Sequence, residues 1–147
     1  MRIAIASDHA AFGMKGDLAA WLKGLGHAVE DLGPEDGGTS VDYPDYGYRL
    51  AAYVAAGRAD FGVAACGSGI GISIAVNRNP AARCALVSEP LSAALAREHN
   101  DANVIALGAR LIGVEMAKAC IAAFLATPFG GERHARRVEK LSAPPLG

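Results

Sequence analysis

Cys66 stands at the head of Gly67-Ser68-Gly69-Ile70-Gly71, a thiol set directly before a loop in which glycine recurs at every second position. Such a backbone can turn sharply and aim several N–H groups at one point, a geometry that holds an anion or an oxygen on which charge is developing. A thiol beside those donors and beside a helix start ionises more readily than a free one, and a thiolate can take a weakly acidic proton from carbon. The same residues also admit a plainer reading, a tight turn next to a small buried hydrophobe.

Other side chains with chemistry fall at comparable places. Asp8 and His9 follow the apolar run Arg2–Ala6, and Arg110 follows Asn103–Leu107. If those runs are parallel strands, Asp8, His9, Cys66, the glycine loop and Arg110 share the carboxyl edge of one sheet, where open α/β sheets bind ligands. Asp8 also suits a helix cap, and His9 an ordinary loop position. His99 lies instead on a helix-to-strand connection, where a histidine commonly meets helix C-terminal carbonyls. Arg133 and Arg137 are four apart, so on a helix they share a face and two guanidinium forks can converge on a phosphate. A solvated basic face is the alternative, although Val138 and Leu141 give that helix an apolar side for docking. A C-terminal helix can also reach a neighbouring subunit.

The elements that must position these groups alternate regularly. Apolar runs at Arg2–Ala6, Gly26–Leu32, Phe61–Ala65, Arg83–Val87 and Asn103–Leu107 read as strands, the second more polar and hence nearer an edge. Helical spacing marks residues 11–25, 45–56, 72–77, 91–98, 114–127 and 132–141, with Ser88 as the expected cap of the fourth and Pro90 in its first turn. Residues 33–44 form a long Gly/Pro/Asp loop in which Tyr43 is the large side chain expected to point inward. The crossovers are too long for hairpins. The expectation is a single α/β domain over 1–147: a three-layer α/β/α, Rossmann-like five-stranded parallel sheet with helices on both faces and a C-terminal helix. Strand order stays open.

Composition narrows the partners. With 52% hydrophobic residues, 20% charged and a net charge of -1, no global field draws the chain to nucleic acid or an anionic membrane, so a small molecule or a protein is expected. Three cysteines are too few and too scattered for a disulfide framework, and the four histidines form no metal-binding spacing. No apolar run approaches the roughly 18 residues of a spanning helix and no basic-then-apolar leader precedes the first strand, which points to a cytoplasmic protein. Gly67-Ser-Gly69 also evokes a dinucleotide fingerprint, with Glu89 about 20 residues on as its acidic partner. The third glycine of that fingerprint would fall at Ile72, and the loop follows the third strand rather than the first.

Taken together, Ser7-Asp8-His9, Asp42-Tyr43-Pro44, the run from Cys66 to Ser73, Ser88-Glu89-Pro90, the run from Arg97 to Asn103, and Arg133 to Val138 resemble the ribose-5-phosphate isomerase B family. That family also contains galactose-6-phosphate and allose-6-phosphate isomerases. The resemblance implies a cofactor-free, metal-independent aldose-ketose isomerase that interconverts ribose 5-phosphate and ribulose 5-phosphate through an enediolate. It implies Cys66 as the base and His99 as the residue that assists ring opening. Asp8, His9, Tyr43 and Asn100 would contact the sugar. The backbone of Gly67, Ser68, Gly69, Ile70 and Gly71 would hold the enediolate oxygen, and Arg110, Arg133 and Arg137 would be substrate and phosphate ligands. A homodimer with shared active sites, in some members a homotetramer, is implied too. Ser68 stands where related sequences often have Thr, which keeps the hydroxyl. A branch that replaces the cysteine with a later glutamate has no counterpart here, because Ile72 occupies that place. A hexose-6-phosphate isomerase is the alternative within the family, and a non-catalytic sugar-phosphate or dinucleotide binder the alternative outside it.

Overall fold

A computed structural model describes residues 1–146. Five strands alternate with helices: β1 (Arg2–Ser7), α1 (Phe12–Gly24), β2 (Ala28–Asp31), α2 (Tyr43–Ala55), β3 (Phe61–Cys66), α3 (Ile70–Val76), β4 (Cys84–Leu86), α4 (Pro90–Asn100), β5 (Val104–Gly108), α5 (Val114–Ala126) and α6 (Arg133–Ser142). All pairings are parallel, in the order β2-β1-β3-β5-β4. The polar β2 is at one edge, as its sequence suggests, and β3 lies at the centre, so Cys66 ends the strand with a neighbour on either side.

The two faces of the sheet differ in side-chain size. Ile3, Ile5, Val63, Ile105 and Leu107 pack with Leu18 and Leu22 of α1 and Ile121 and Phe124 of α5. Alternate positions, Ala4, Ala6, Ala64, Cys66 and Ala106, pack with Leu50 and Val54 of α2 and Ile72 and Val76 of α3. Period-2 alternation thus puts bulky residues on one face and alanines on the other. The small face lets α2 and α3 sit close to the sheet, and the same parity turns the Cys66 side chain toward α3. The two helices also touch closely: a β-carbon at Gly47 would lie 2.7 Å from Ala75 Cβ.

Several boundaries move from their expected places. Helix α2 begins at Tyr43 rather than Asp45, because Pro44 fits the first turn of a helix, where its missing N–H costs nothing. Helix α3 begins at Ile70 rather than Ile72, directly after Gly69 takes a left-handed conformation with φ 78°. Ser88 is not the cap of α4. The longer Glu89 side chain reaches both Leu91 N–H at 2.7 Å and Ser92 N–H at 2.8 Å, which holds its carboxyl below the usual range. Helix α4 runs through His99 and Asn100, and Asp101 closes it. No helix among the described residues is long and apolar enough to cross a membrane.

Candidate active site

The carboxyl edge of β3 carries the thiol. Cys66 is 4% exposed, and its Sγ accepts a hydrogen bond from Gly69 N–H at 3.1 Å. The loop is seated on β5 by close backbone contact. A β-carbon at Gly69 would lie 2.8 Å from the Leu107 carbonyl carbon, and one at Gly108 would lie 2.5 Å from the Ser68 carbonyl oxygen. Gly69 therefore meets two demands, the positive φ and the approach to a neighbouring strand. Ala109 N–H donates to Cys66 O and Arg110 N–H to Gly67 O, both at 2.9 Å, which ties the segment after β5 to the loop and lays the Arg110 side chain over Gly67. Tyr43 is 41% exposed rather than turned inward; starting a helix, it lies at the surface with its ring directly against Gly71, where a β-carbon would lie 2.5 Å from it.

A cleft of about 510 Å³ opens here, lined by Asp8, Tyr43, Cys66, Ser68, Arg110 and Leu111 among others. Asp8 is nearly buried and engages Ala11 N–H at 3.1 Å, so it serves the turn into α1 while bordering the cleft. His9 Nδ1 accepts from Val41 N–H at 3.1 Å. A backbone donor at Nδ1 leaves the proton of the neutral ring on Nε2.

The other thiols contrast with Cys66. Burial pushes Cys84 up to about 12 and also raises Cys120, so both are neutral. Cys66 alone has a backbone N–H aimed at its sulfur among the described residues. No group of three or more His, Cys, Asp or Glu side chains suited to a metal ion occurs among them.

The remaining candidates lie at the opposite edge. β3 and β5 pair from Gly62↔Val104 to Cys66↔Gly108. Four residue steps put about 13 Å between the two edges. Helix α4 runs back along the sheet, so His99 and Asn100 in its last turn sit at the far end. His99 stacks on His134 of α6, ring centroids 4.6 Å apart and planes 15° from parallel, rather than on helix carbonyls. Helix α6 is tethered there by Gly130 N–H donating to Glu98 O at 2.9 Å, with Val138 docked and Arg133 and Arg137 exposed. Partial desolvation, then His99, Arg133 and Arg137, hold His134 below the ordinary imidazole value. Asn100 lines a separate cavity of about 610 Å³ with Arg83 and Cys84.

One chain thus gathers the candidate residues into two groups at opposite edges of the sheet. Asp8, Tyr43, Cys66, the loop and Arg110 gather at one edge, with His9 beside them. His99, Arg133 and Arg137 gather at the other, where Asn100 also lies. His134 belongs with the second group and was not among the sequence candidates. Its signal was its place one residue after Arg133, which turns it toward α4. The exposed apolar side chains of Ile74 and Leu111 at the cleft were not among the candidates either, and Ile70 was a candidate only through its backbone.

A family profile described as ribose/galactose isomerase matches residues 3–141. Ribose-5-phosphate isomerase B of Escherichia coli is 42% identical over 142 residues, covering 97% of this chain and 95% of its own length. D-erythrulose-4-phosphate isomerase of Pectobacterium atrosepticum is 40% identical over 141 residues, covering 96% and 93%. The solved structure of Clostridium thermocellum ribose-5-phosphate isomerase B superposes with a TM-score of 0.94 at 43% identity, covering 97% and 95%.

Proposed function

This chain belongs to the ribose/galactose isomerase family, and on that premise we propose that it interconverts ribose 5-phosphate and ribulose 5-phosphate with Cys66 as the base. The observation that carries this reading is the thiol on the cleft side of a backbone donor: Sγ sits at the root of the loop with Gly69 N–H on it. The thiolate removes the proton from C2 of the open-chain aldose and, as the C2 hydroxyl proton passes to O1, returns it to C1. Charge that develops on the C1 oxygen meets N–H groups of the 67–71 loop other than Gly69 N–H, which serves Cys66 Sγ, and Ile70 N–H, which serves Ser68 Oγ, and one preorganised donor of this kind contributes about 3 kcal/mol to lowering the barrier. Asp8, His9 and Tyr43 orient the sugar hydroxyls.

Ring opening and phosphate binding need the other half-site, which supports a shared arrangement in a dimer. In a two-fold pair the His99 edge of one copy faces the Cys66 edge of the other. The exposed Ile70, Ile74 and Leu111, with Leu86 in the adjoining hollow, give the first edge the apolar rim that a second copy would cover. His99 then takes the anomeric proton and returns one to the ring oxygen. Asn100 contacts the sugar, while Arg110, Arg133 and Arg137 hold the phosphate.

Turnover of ribose 5-phosphate in D2O by wild type and by Cys66→Ala tests the reading. Ribulose 5-phosphate carrying solvent deuterium at C1 is expected from wild type only; equal rates from the variant would contradict it. The similarity to a tetrose-phosphate isomerase supports a second reading, a shorter substrate. A higher kcat/KM for D-erythrulose 4-phosphate than for ribulose 5-phosphate would favour it.

A further inference from the structure

Two non-glycine residues have positive φ among the described residues, Asp101 at 45° and Glu132 at 49°. They flank the far half-site: Asp101 follows His99-Asn100, and Glu132 precedes Arg133-His134. Non-glycine residues in such conformations cluster where surrounding structure holds them for a purpose. Around Asp101 that holding structure is visible. Arg97 Nη1 donates to Asp101 Oδ1 at 2.8 Å and to Ala102 O at 2.6 Å. From the other side Arg83 Nε donates to Asp101 O at 2.9 Å, and Arg83 Nη2 reaches Oδ2 at 3.4 Å.

This clamp is an expensive way to end a helix. A glycine closes a helix in the left-handed conformation without strain and needs no side-chain partner. Arg97 is 8% exposed, its guanidinium lies over the rings of Phe61 at 4.8 Å and Phe124 at 5.7 Å, and its Nε has no hydrogen-bond partner. A buried charge with an unsatisfied donor is a poor source of stability compared with an apolar side chain of the same volume. The gain is direction. Asp101 N–H closes on Arg97 O, so the clamp fixes the last turn of α4, from which His99 projects onto His134.

We propose that Asp101, held left-handed between Arg83 and Arg97, is a positioning residue that sets the orientation of His99 for ring opening. The proposal rests on the isomerase reading above and on the place of His99 in it. It separates two roles for Asp101. A cap is replaceable by glycine, whereas a positioning residue is not.

The test compares ribose 5-phosphate with 4-deoxy-D-ribose 5-phosphate, which lacks the hydroxyl that closes the furanose and so needs no ring opening. For Asp101→Gly we expect a lowered melting temperature, because buried Arg97 loses its carboxylate partner, and a fall in kcat/KM of the folded enzyme for ribose 5-phosphate on the order of 100-fold, as for a misaligned proton-transfer group. The loss on the acyclic substrate should be at least about tenfold smaller, because His99 has no step there. Asp101→Asn, which tolerates the left-handed conformation and keeps an acceptor for Arg97, should stay within about threefold of wild type. Should Asp101→Gly fail to fold, Arg83→Gln makes the same comparison from the exposed side of the clamp. Full activity of Asp101→Gly on ribose 5-phosphate, or equal losses on both substrates, would overturn the positioning role while leaving the isomerase reading intact. Wild type inactive on both substrates would overturn the isomerase reading and this proposal with it.

Discussion

The two edges of the sheet offer the same thing to a ligand, hydrogen-bond donors for an anion, by opposite means. At the carboxyl edge the donors are, apart from Arg110, backbone N–H groups, held by glycines so close to β5 and Tyr43 that a β-carbon at Gly69, Gly71 or Gly108 would collide. At the other edge they are guanidinium groups on a helix docked through one buried residue, Val138, beside the end of α4. A backbone nest cannot be tuned by charge, but it stays put; an arginine pair can follow a mobile phosphate, but its strength depends on salt and protonation. In the proposed mechanism the reacting carbon meets the rigid edge and the remote phosphate the adaptable one, which is where binding energy is best used to orient the reacting end.

If that division holds, the largest effect belongs to the rigid edge. Cys66→Ala should lower kcat about 1,000-fold with little change in KM, the range expected for loss of a general base; a variant that changed KM alone would break the contrast. Next, Gly69→Ala should cost roughly 3 kcal/mol of stability, read by chemical denaturation, since it adds both left-handed strain and a clash with Leu107. Arg137→Ala should leave stability alone and raise KM about tenfold with kcat nearly unchanged, the worth of one charge-assisted contact. That increase should shrink as salt is raised, whereas the Cys66→Ala defect should not change with salt.

The smallest effect is a pH dependence at the adaptable edge. His134 is held below its ordinary value of 6.5, so the unfolded chain takes up a proton first as pH falls. Its contribution to stability is therefore complete above about 6.5 and declines as pH drops through the window below it. Melting temperatures measured from pH 7.5 to 5 should show this decline, and His134→Gln should flatten it.

The rigid edge was the more legible in sequence, for a physical reason. Its signals are local: an apolar run, a cysteine at its end and glycines at alternate positions already specify a strand, a turn and a nest within a dozen residues. The parallel α/β class was legible too, from five alternations of strand and helix. Strand order was not, because it depends on which crossovers pack against which face. Other misses share that character. The burial of Arg97 depends on Phe61 and Phe124, distant in sequence. Tyr43 looked like an inward loop residue because Pro44 resembles a turn, but the same proline suits the first turn of α2. Glu89 displaced Ser88 as a cap because a longer carboxylate reaches two N–H groups.

The central claim is that one chain's Cys66 edge works with another chain's His99 edge, and a mixture of two disabled variants tests it most directly. Cys66→Ala keeps an intact His99 edge, and His99→Gln keeps an intact Cys66 edge. Each alone should be nearly inactive on ribose 5-phosphate. After subunit exchange, half of the dimers are mixed and each carries one site with both native edges, so activity should return to about one quarter of wild type. No recovery in a mixture shown to contain mixed dimers would contradict the account.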